Sequence, residues 1–280
     1  METPRGHDRK ALVCVYEGLG QIFFMYIAIV SGAGSDNGWG IAGPLALFAI
    51  INIFGKVSGG HFNPAVTLGV YVREAQWSRN IILMFGIIVC QIGGALVGMA
   101  LAFLSLRVPV DGEYKVPDSI VPLLLPATVA EGVKNGNVVL SEGWATFYME
   151  IICTCIFVLF ILHVTGKHTG AEKQGLWIPA SICTVLWALC KVDAFTGASF
   201  NPALAIGSTF FQAWAYSSNP SGVMTHYLLM YIGGAALGGI LAGTVYHIHQ
   251  MMFKNDSDAH GSYNGSPAIN SAYSHSDKAQ

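Results

Sequence analysis

Two copies of one short motif are the strongest chemical signal in this sequence. Residues 58–69 read SGGHFNPAVTLG, and residues 196–207 read TGASFNPALAIG. An Asn-Pro pair is most often a turn. However, Asn is also a favoured helix N-cap, and Pro is favoured at the first helical position. Two copies at equivalent places therefore predict two short helices, over 64–71 and 202–211. The motif residues are Asn63, Pro64, Ala65, Asn201, Pro202 and Ala203.

The composition around these motifs is that of a membrane protein. Hydrophobic residues make up 53% of the chain and charged residues only 11%, whereas soluble domains are rarely so apolar. The apolar residues gather into runs long enough to cross a bilayer as helices. The six runs are 11–31, 41–57, 81–104, 144–165, 176–192 and 223–248.

Charge and cysteine usage exclude several other classes of protein. A net charge of −2 without a basic stripe does not fit a nucleic-acid-binding protein. The six cysteines fall inside or at the ends of apolar runs, where Cys usually behaves as a small hydrophobic residue. We therefore expect no disulfide framework, no metal site and no cofactor.

The duplication extends beyond the motif. QIGGALVGMA at 91–100 matches YIGGAALGGI at 231–240, at nearly the same offset as the two motifs. Each half contains three apolar runs, so the second half must enter the membrane from the opposite face, as an inverted repeat. The predicted units are a terminus (1–10), two three-helix repeats (11–110 and 138–250), a connecting loop (111–137) and a tail (251–280).

The orientation follows from Lys and Arg between the runs. More of them fall on the side of the two termini than on the side of the connecting loop, which predicts cytoplasmic termini and an extracellular loop. The tail after residue 250 has few large apolar side chains and is predicted to be disordered.

The two short helices have a predicted role at the centre of the membrane. They are too short to cross it and must be re-entrant, which is tolerated where protein buries them or where they line a cavity. Their N-termini then meet near the midplane, each with the positive end of a helix dipole. Together with the amide groups of Asn63 and Asn201, these ends would repel cations and protons and hydrogen-bond a neutral solute.

These features together resemble the aquaporin, or major intrinsic protein, family over about residues 11–250. The resemblance rests on both Asn-Pro-Ala motifs, the paired IGGA stretches, the TG before the second motif, and Glu17 and Glu150 in the first run of each half. It implies an all-α integral membrane fold of six transmembrane helices and two re-entrant half-helices, assembled as a homotetramer with one pore per subunit. It also implies that Glu17 and Glu150 accept hydrogen bonds from the backbone of the re-entrant loops. His61 is expected at the cytoplasmic pore mouth.

One position departs from the family pattern. Most members have Arg directly after the second motif, where its guanidinium narrows the outer constriction, but this chain has Leu204. The family pattern places the other three constriction residues at Gly43, Leu189 and Ala198. A constriction without charge or bulky aromatic predicts a wider and more apolar pore mouth.

The predicted function is a passive channel for water and small neutral solutes such as glycerol, urea or ammonia, which excludes protons and ions. An ion-coupled secondary transporter is an alternative, because such transporters also use inverted repeats and broken helices and intramembrane carboxylates often relay protons. A non-conducting membrane scaffold or junction protein is a second alternative. The plasma membrane and a vacuolar membrane both remain open.

Overall fold

A computed structural model of the chain describes residues 6–33, 40–137, 143–166, 175–216 and 222–260. Within these residues, each repeat contributes three long helices and one half-helix. The first repeat comprises α1 (Gly6–Gly32), α2 (Ala42–Ser58), α3 (Pro64–Glu74) and α4 (Trp77–Leu106). The connecting segment comprises β1 (Val108–Val110), β2 (Glu113–Lys115), a 3-10 turn (Asp118–Ile120) and α5 (Ala127–Asn135). The second repeat comprises α6 (Gly143–Val164), α7 (Trp177–Val192), α8 (Pro202–Ala215), the one-turn α9 (Val223–His226) and α10 (Leu228–His260).

All six predicted apolar runs are helical. Four of these helices have the length and hydropathy to cross a membrane, and α2 and α7 are shorter apolar helices of 17 and 16 residues. Several helices extend past the predicted runs, because hydropathy detects the apolar part of a helix and not its polar end turns. The largest difference is α10, which continues to His260. The helix therefore includes residues 251–260 of the predicted disordered tail (251–280). Residues 261–280 lie outside the described residues.

Glycines bring the long helices of each repeat into close contact. A Cβ on Gly94 or Gly98 of α4 would lie 2.3 or 2.5 Å from a carbonyl oxygen of α1. On α10, a Cβ on Gly234 or Gly238 would lie 2.9 or 2.6 Å from a carbonyl oxygen of α6. Such distances leave no room for a side chain, so these small residues let the helix backbones touch.

Each half-helix packs against the last long helix of the other repeat. A Cβ on Gly239 of α10 would lie 2.2 Å from the carbonyl oxygen of Ala65 in α3. Correspondingly, a Cβ on Gly207 of α8 would lie 3.3 Å from the carbonyl oxygen of Ala95 in α4. The two repeats are thus interlocked through their half-helices.

The predicted connecting loop, 111–137, lies within a segment that has secondary structure of its own. Strands β1 and β2 form an antiparallel hairpin, with Val108 paired to Lys115. Beyond it, Val121, Leu124 and Leu125 are buried in the hydrophobic core. The segment therefore covers the protein on the side opposite the chain termini.

Candidate functional site

Asn63 and Asn201 cap the two half-helices in the predicted way. Both have extended backbone, and the Asn63 side chain accepts a hydrogen bond from the Ala65 N–H at 2.8 Å. The Asn201 side chain accepts from the N–H groups of Ala203 at 3.0 Å and Leu204 at 3.3 Å. Pro64 and Pro202 stand at the first helical positions. The half-helices end at Glu74 and Ala215, slightly beyond the predicted ends at 71 and 211.

The same two asparagines join the half-helices to each other. Asn63 Nδ2 donates to the carbonyl oxygen of Phe200 at 2.8 Å, and Asn201 Nδ2 donates to the carbonyl oxygen of Phe62 at 2.9 Å. Each acceptor is the residue directly before the opposite asparagine. These reciprocal bonds hold the two positive helix ends face to face and use one N–H of each amide, which leaves the other N–H for a solute.

The residues before the asparagines have strained backbone. Phe62 and Phe200 have φ angles of 45° and 51°, in the left-handed region that costs an L-residue roughly 1–2 kcal/mol. This conformation is unfavourable for a residue with a bulky side chain, so contacts with other residues must stabilise it.

Glu17 and Glu150 supply these contacts. The Glu17 carboxylate accepts hydrogen bonds from the N–H groups of His61 at 3.0 Å and Phe62 at 2.6 Å. The Glu150 carboxylate accepts from Ser199 and Phe200, both at 2.8 Å. Both glutamates are fully buried, so a loop N–H that lost its carboxyl acceptor would be left without a partner. The structure thus places both glutamates where a loop anchor must lie.

Two further polar residues, which the sequence analysis did not identify, hydrogen-bond to Glu17 or to the second re-entrant loop. Gln91 Nε2 donates to Glu17 at 2.9 Å and to Thr67 Oγ1 at 3.1 Å. In the second repeat, the Tyr231 hydroxyl donates to the carbonyl oxygen of Thr196. Gln91 and Tyr231 are the first residues of the two paired stretches QIGGA and YIGGA. A polar residue at the same place in both copies was the signal that could have revealed them.

A cavity of about 450 Å³ extends to the two asparagines from the side of the chain termini. His61, Asn63 and Asn201 all line this cavity, and its walls include apolar side chains of α2 and α7. His61 is fixed there by a contact of 3.2 Å between its Nδ1 and Thr67 Oγ1. Arg73 also lines the cavity, and its carbonyl contacts His247 of α10 at 3.3 Å. The place of His61 at the cytoplasmic pore mouth stays a prediction.

The four predicted constriction residues do not line this cavity. Gly43, Leu189 and Leu204 are buried, and Ala198 is partly buried. The cavity reaches the asparagines from the side opposite the expected wide mouth. The wide, apolar mouth therefore stays a prediction.

The fold and the site together define a membrane channel. Two re-entrant half-helices meet end to end at reciprocally bonded asparagines, and an open cavity leads to the point where they meet. A family model described as Major intrinsic protein matches residues 10–246, so the chain belongs to the major intrinsic protein family. The predicted fold of six spans and two half-helices is thereby confirmed.

Curated relatives and a solved structure agree with this assignment. The chain is 28% identical over 251 residues to a probable TIP-type aquaporin of Medicago truncatula, covering 82% of this chain and 85% of that protein. It is 29% identical over 222 residues to glycerol uptake facilitator protein-like 6 of Lactiplantibacillus plantarum, covering 79% and 88%. The aquaglyceroporin structure from Plasmodium falciparum matches with a TM-score of 0.62 at 17% identity, over 88% of this chain and 99% of that one. At this identity the last match shows the fold alone.

Proposed function

We propose that this protein is a passive channel for water and small neutral solutes. The path runs through the cavity, past Asn63 and Asn201, and out past Gly43, Leu189, Ala198 and Leu204. The observation that carries the proposal is the pair of reciprocal Asn–carbonyl bonds between residues that line the cavity. In this proposal, the two helix N-termini and the second N–H of each amide face a passing solute. Relatives named as an aquaporin and as a glycerol uptake facilitator support water and glycerol as permeants.

The same geometry supports exclusion of protons and cations. Each half-helix contributes roughly half a positive charge at its N-terminus, and the two ends face each other across the path. A neutral solute instead finds hydrogen-bond donors that replace part of its hydration.

The ion-coupled transporter is disfavoured by the hydrogen bonds of the two glutamates. A proton relay needs a carboxylate that can exchange its proton with the path. Both oxygens of Glu17 and of Glu150 accept backbone N–H groups of the re-entrant loops. Each glutamate therefore has a structural partner for both of its oxygens, and its burial needs no proton relay to explain it. The cavity that reaches the asparagines argues against a non-conducting scaffold.

The proposed setting is a homotetramer in a plasma or vacuolar membrane, with both termini cytoplasmic. The orientation rests on the excess of Lys and Arg on the terminal side. The tetramer rests on family membership.

The proposal is tested by the osmotic response of proteoliposomes to water, glycerol and urea. Leu204→Arg should lower glycerol and urea flux more than water flux, because the guanidinium narrows the path and adds charge. Leu204→Met is the matched control, since it keeps the size without charge and should leave the solute-to-water ratio near that of wild type. A wild type no more permeable than protein-free vesicles would contradict the channel, and an unchanged ratio in Leu204→Arg would contradict the role of Leu204.

A further inference from the structure

The segment that connects the two repeats reaches into the second re-entrant loop. That loop, residues 193–201, runs from the end of α7 to Asn201. The Ala127 N–H donates to the carbonyl oxygen of Phe195 at 2.8 Å. A Cβ placed on Gly197 would lie 3.1 Å from Leu124 Cδ1 and 3.4 Å from the carbonyl oxygen of Leu125. Residues 121–127, named here the clamp segment, therefore contact the loop at Phe195 and at Gly197.

The clamp segment is itself held firmly. Leu124 and Leu125 are only 1% and 2% exposed. At its other end, Pro122 Cβ would lie 3.1 Å from a Cβ on Gly32, at the end of α1. The segment thus spans from the first helix of one repeat to the re-entrant loop of the other, and it can transmit a fixed position to that loop.

The backbone under the clamp segment needs such support. Gly197 has a φ of 97° and Ala198 a φ of 56°, and the left-handed region is unfavourable for alanine. The Glu150 carboxyl group accepts the backbone N–H groups of Ser199 and Phe200, and its one further hydrogen bond to this loop among the described residues is with the Thr196 side chain. Thr196 is also held by Asp193 and Tyr231. On either side of Thr196, Phe195 and Gly197 meet the clamp segment.

Among the described residues, the two glycines of the first re-entrant loop have no equivalent contact with a segment outside their own repeat. A Cβ on Gly59 would meet His61, and a Cβ on Gly60 would meet Gly55, Ile51 and Phe62. All of these belong to α2 or to the loop itself. The two loops share the carboxylate anchor, but the clamp is a feature of the second loop, next to Ala198.

We propose that Leu124 is a positioning residue for the outer constriction: its side chain fixes Gly197 and, through it, Ala198, and so sets which solutes pass. This inference rests on the proposed function, because it assumes that Ala198 lines the path. Most family members have an Arg at the position of Leu204, and its charged side chain helps to form the constriction. In this protein, the apolar contact of Leu124 with Gly197 would position the constriction instead.

Leu124→Ala is the direct test, measured as water, glycerol and urea permeability of proteoliposomes at matched protein density. Removing the contact lets the backbone at Gly197 and Ala198 relax, so the glycerol-to-water and urea-to-water ratios should change several-fold. A purely structural role would lower the yield of folded protein and scale all three fluxes together, leaving the ratios constant.

Leu125→Ala is the matched control. Leu125 is equally buried, but its close atoms to Gly197 are backbone atoms, which the substitution keeps. Its ratios should stay near those of wild type. Leu124→Val removes less of the side chain and should shift the ratios in the same direction as Leu124→Ala, by less. If Leu124→Ala does not fold, the flux ratios of Leu124→Val test the role of Leu124 instead.

Two outcomes would overturn the inference: constant ratios in the folded Leu124 variants, or an equal change in Leu125→Ala. Either result with a conducting wild type leaves the channel function intact. A wild type that passes neither water nor solutes would instead refute the proposed function itself.

Discussion

Glu150 shows how one carboxylate can fix a strained backbone inside a membrane protein. Its two oxygens accept the N–H groups of Ser199 and Phe200, and the left-handed Phe200 then directs its carbonyl oxygen to Asn63. A buried polar group that loses its partner is costly. The asparagine pair therefore depends on a residue that does not touch the path.

At this residue scale, Glu150→Leu should leave both N–H groups without an acceptor, at a cost of roughly 1–3 kcal/mol each. We expect a lower midpoint of thermal unfolding in detergent and a lower yield of folded protein. Glu150→Gln is the control, because its single carbonyl oxygen retains one acceptor and the loss should be smaller. If Glu150→Leu folded as well as wild type and lost only an ion-coupled uptake, the transporter interpretation would be supported.

At the scale of elements, the contact between α1 and α4 depends on which glycine faces the neighbour. A Cβ on Gly94 would lie 2.3 Å from the carbonyl oxygen of Gly18, whereas a Cβ on Gly93 has no atom within 4 Å. A backbone atom cannot move aside as a flexible side chain can. Adjacent glycines on the same helix therefore have opposite tolerance for a methyl group.

Gly94→Ala should consequently lower the thermal unfolding midpoint, since the two helices must separate. Gly93→Ala should leave the midpoint unchanged or raise it, because Ala is favoured over Gly in a helix interior by about 0.5–1 kcal/mol. Both variants are compared with wild type in one detergent by tryptophan fluorescence. Equal midpoints for the two variants would show that the close approach of α1 and α4 is not needed.

The elements also show what the sequence could and could not predict. The apolar runs and the starts of the half-helices were predictable, because hydropathy and the Asn-Pro pair act locally. The helix ends were not, as α10 shows by continuing to His260 through polar residues. The clamp segment was also beyond prediction, because the contact between Leu124 and Gly197 joins residues far apart in the chain. Likewise, nothing in the type of Phe62 or Phe200 indicates left-handed backbone.

At the scale of the whole molecule, the proposed exclusion of protons depends on the meeting of two half-helices from opposite repeats. The proteoliposomes should pass water without collapsing a pH gradient, as reported by an enclosed pH-sensitive dye. Replacing both Asn63 and Asn201 with Asp keeps the capping oxygens but adds negative charge, which offsets the positive helix ends and should increase proton leak.

The corresponding double Ser variant separates charge from hydrogen bonding. Ser also caps helices and is neutral, so this variant should remain closed to protons although it loses the amide donors. A proton conductance of the wild type that rises with protein content would contradict the barrier. So would an equal leak in the Asp and Ser variants.

The reciprocal bonds between Asn63 and Phe200 and between Asn201 and Phe62 have a consequence for biogenesis. Each asparagine has its acceptor in the other half of the chain, 137 or 139 residues away in the sequence. When the first half leaves the ribosome, the Phe62 carbonyl and the Asn63 amide have no partner to bind. We therefore expect the first re-entrant loop to be completed only after the second half of the chain is synthesised, so that the centre of the pore forms late in membrane insertion.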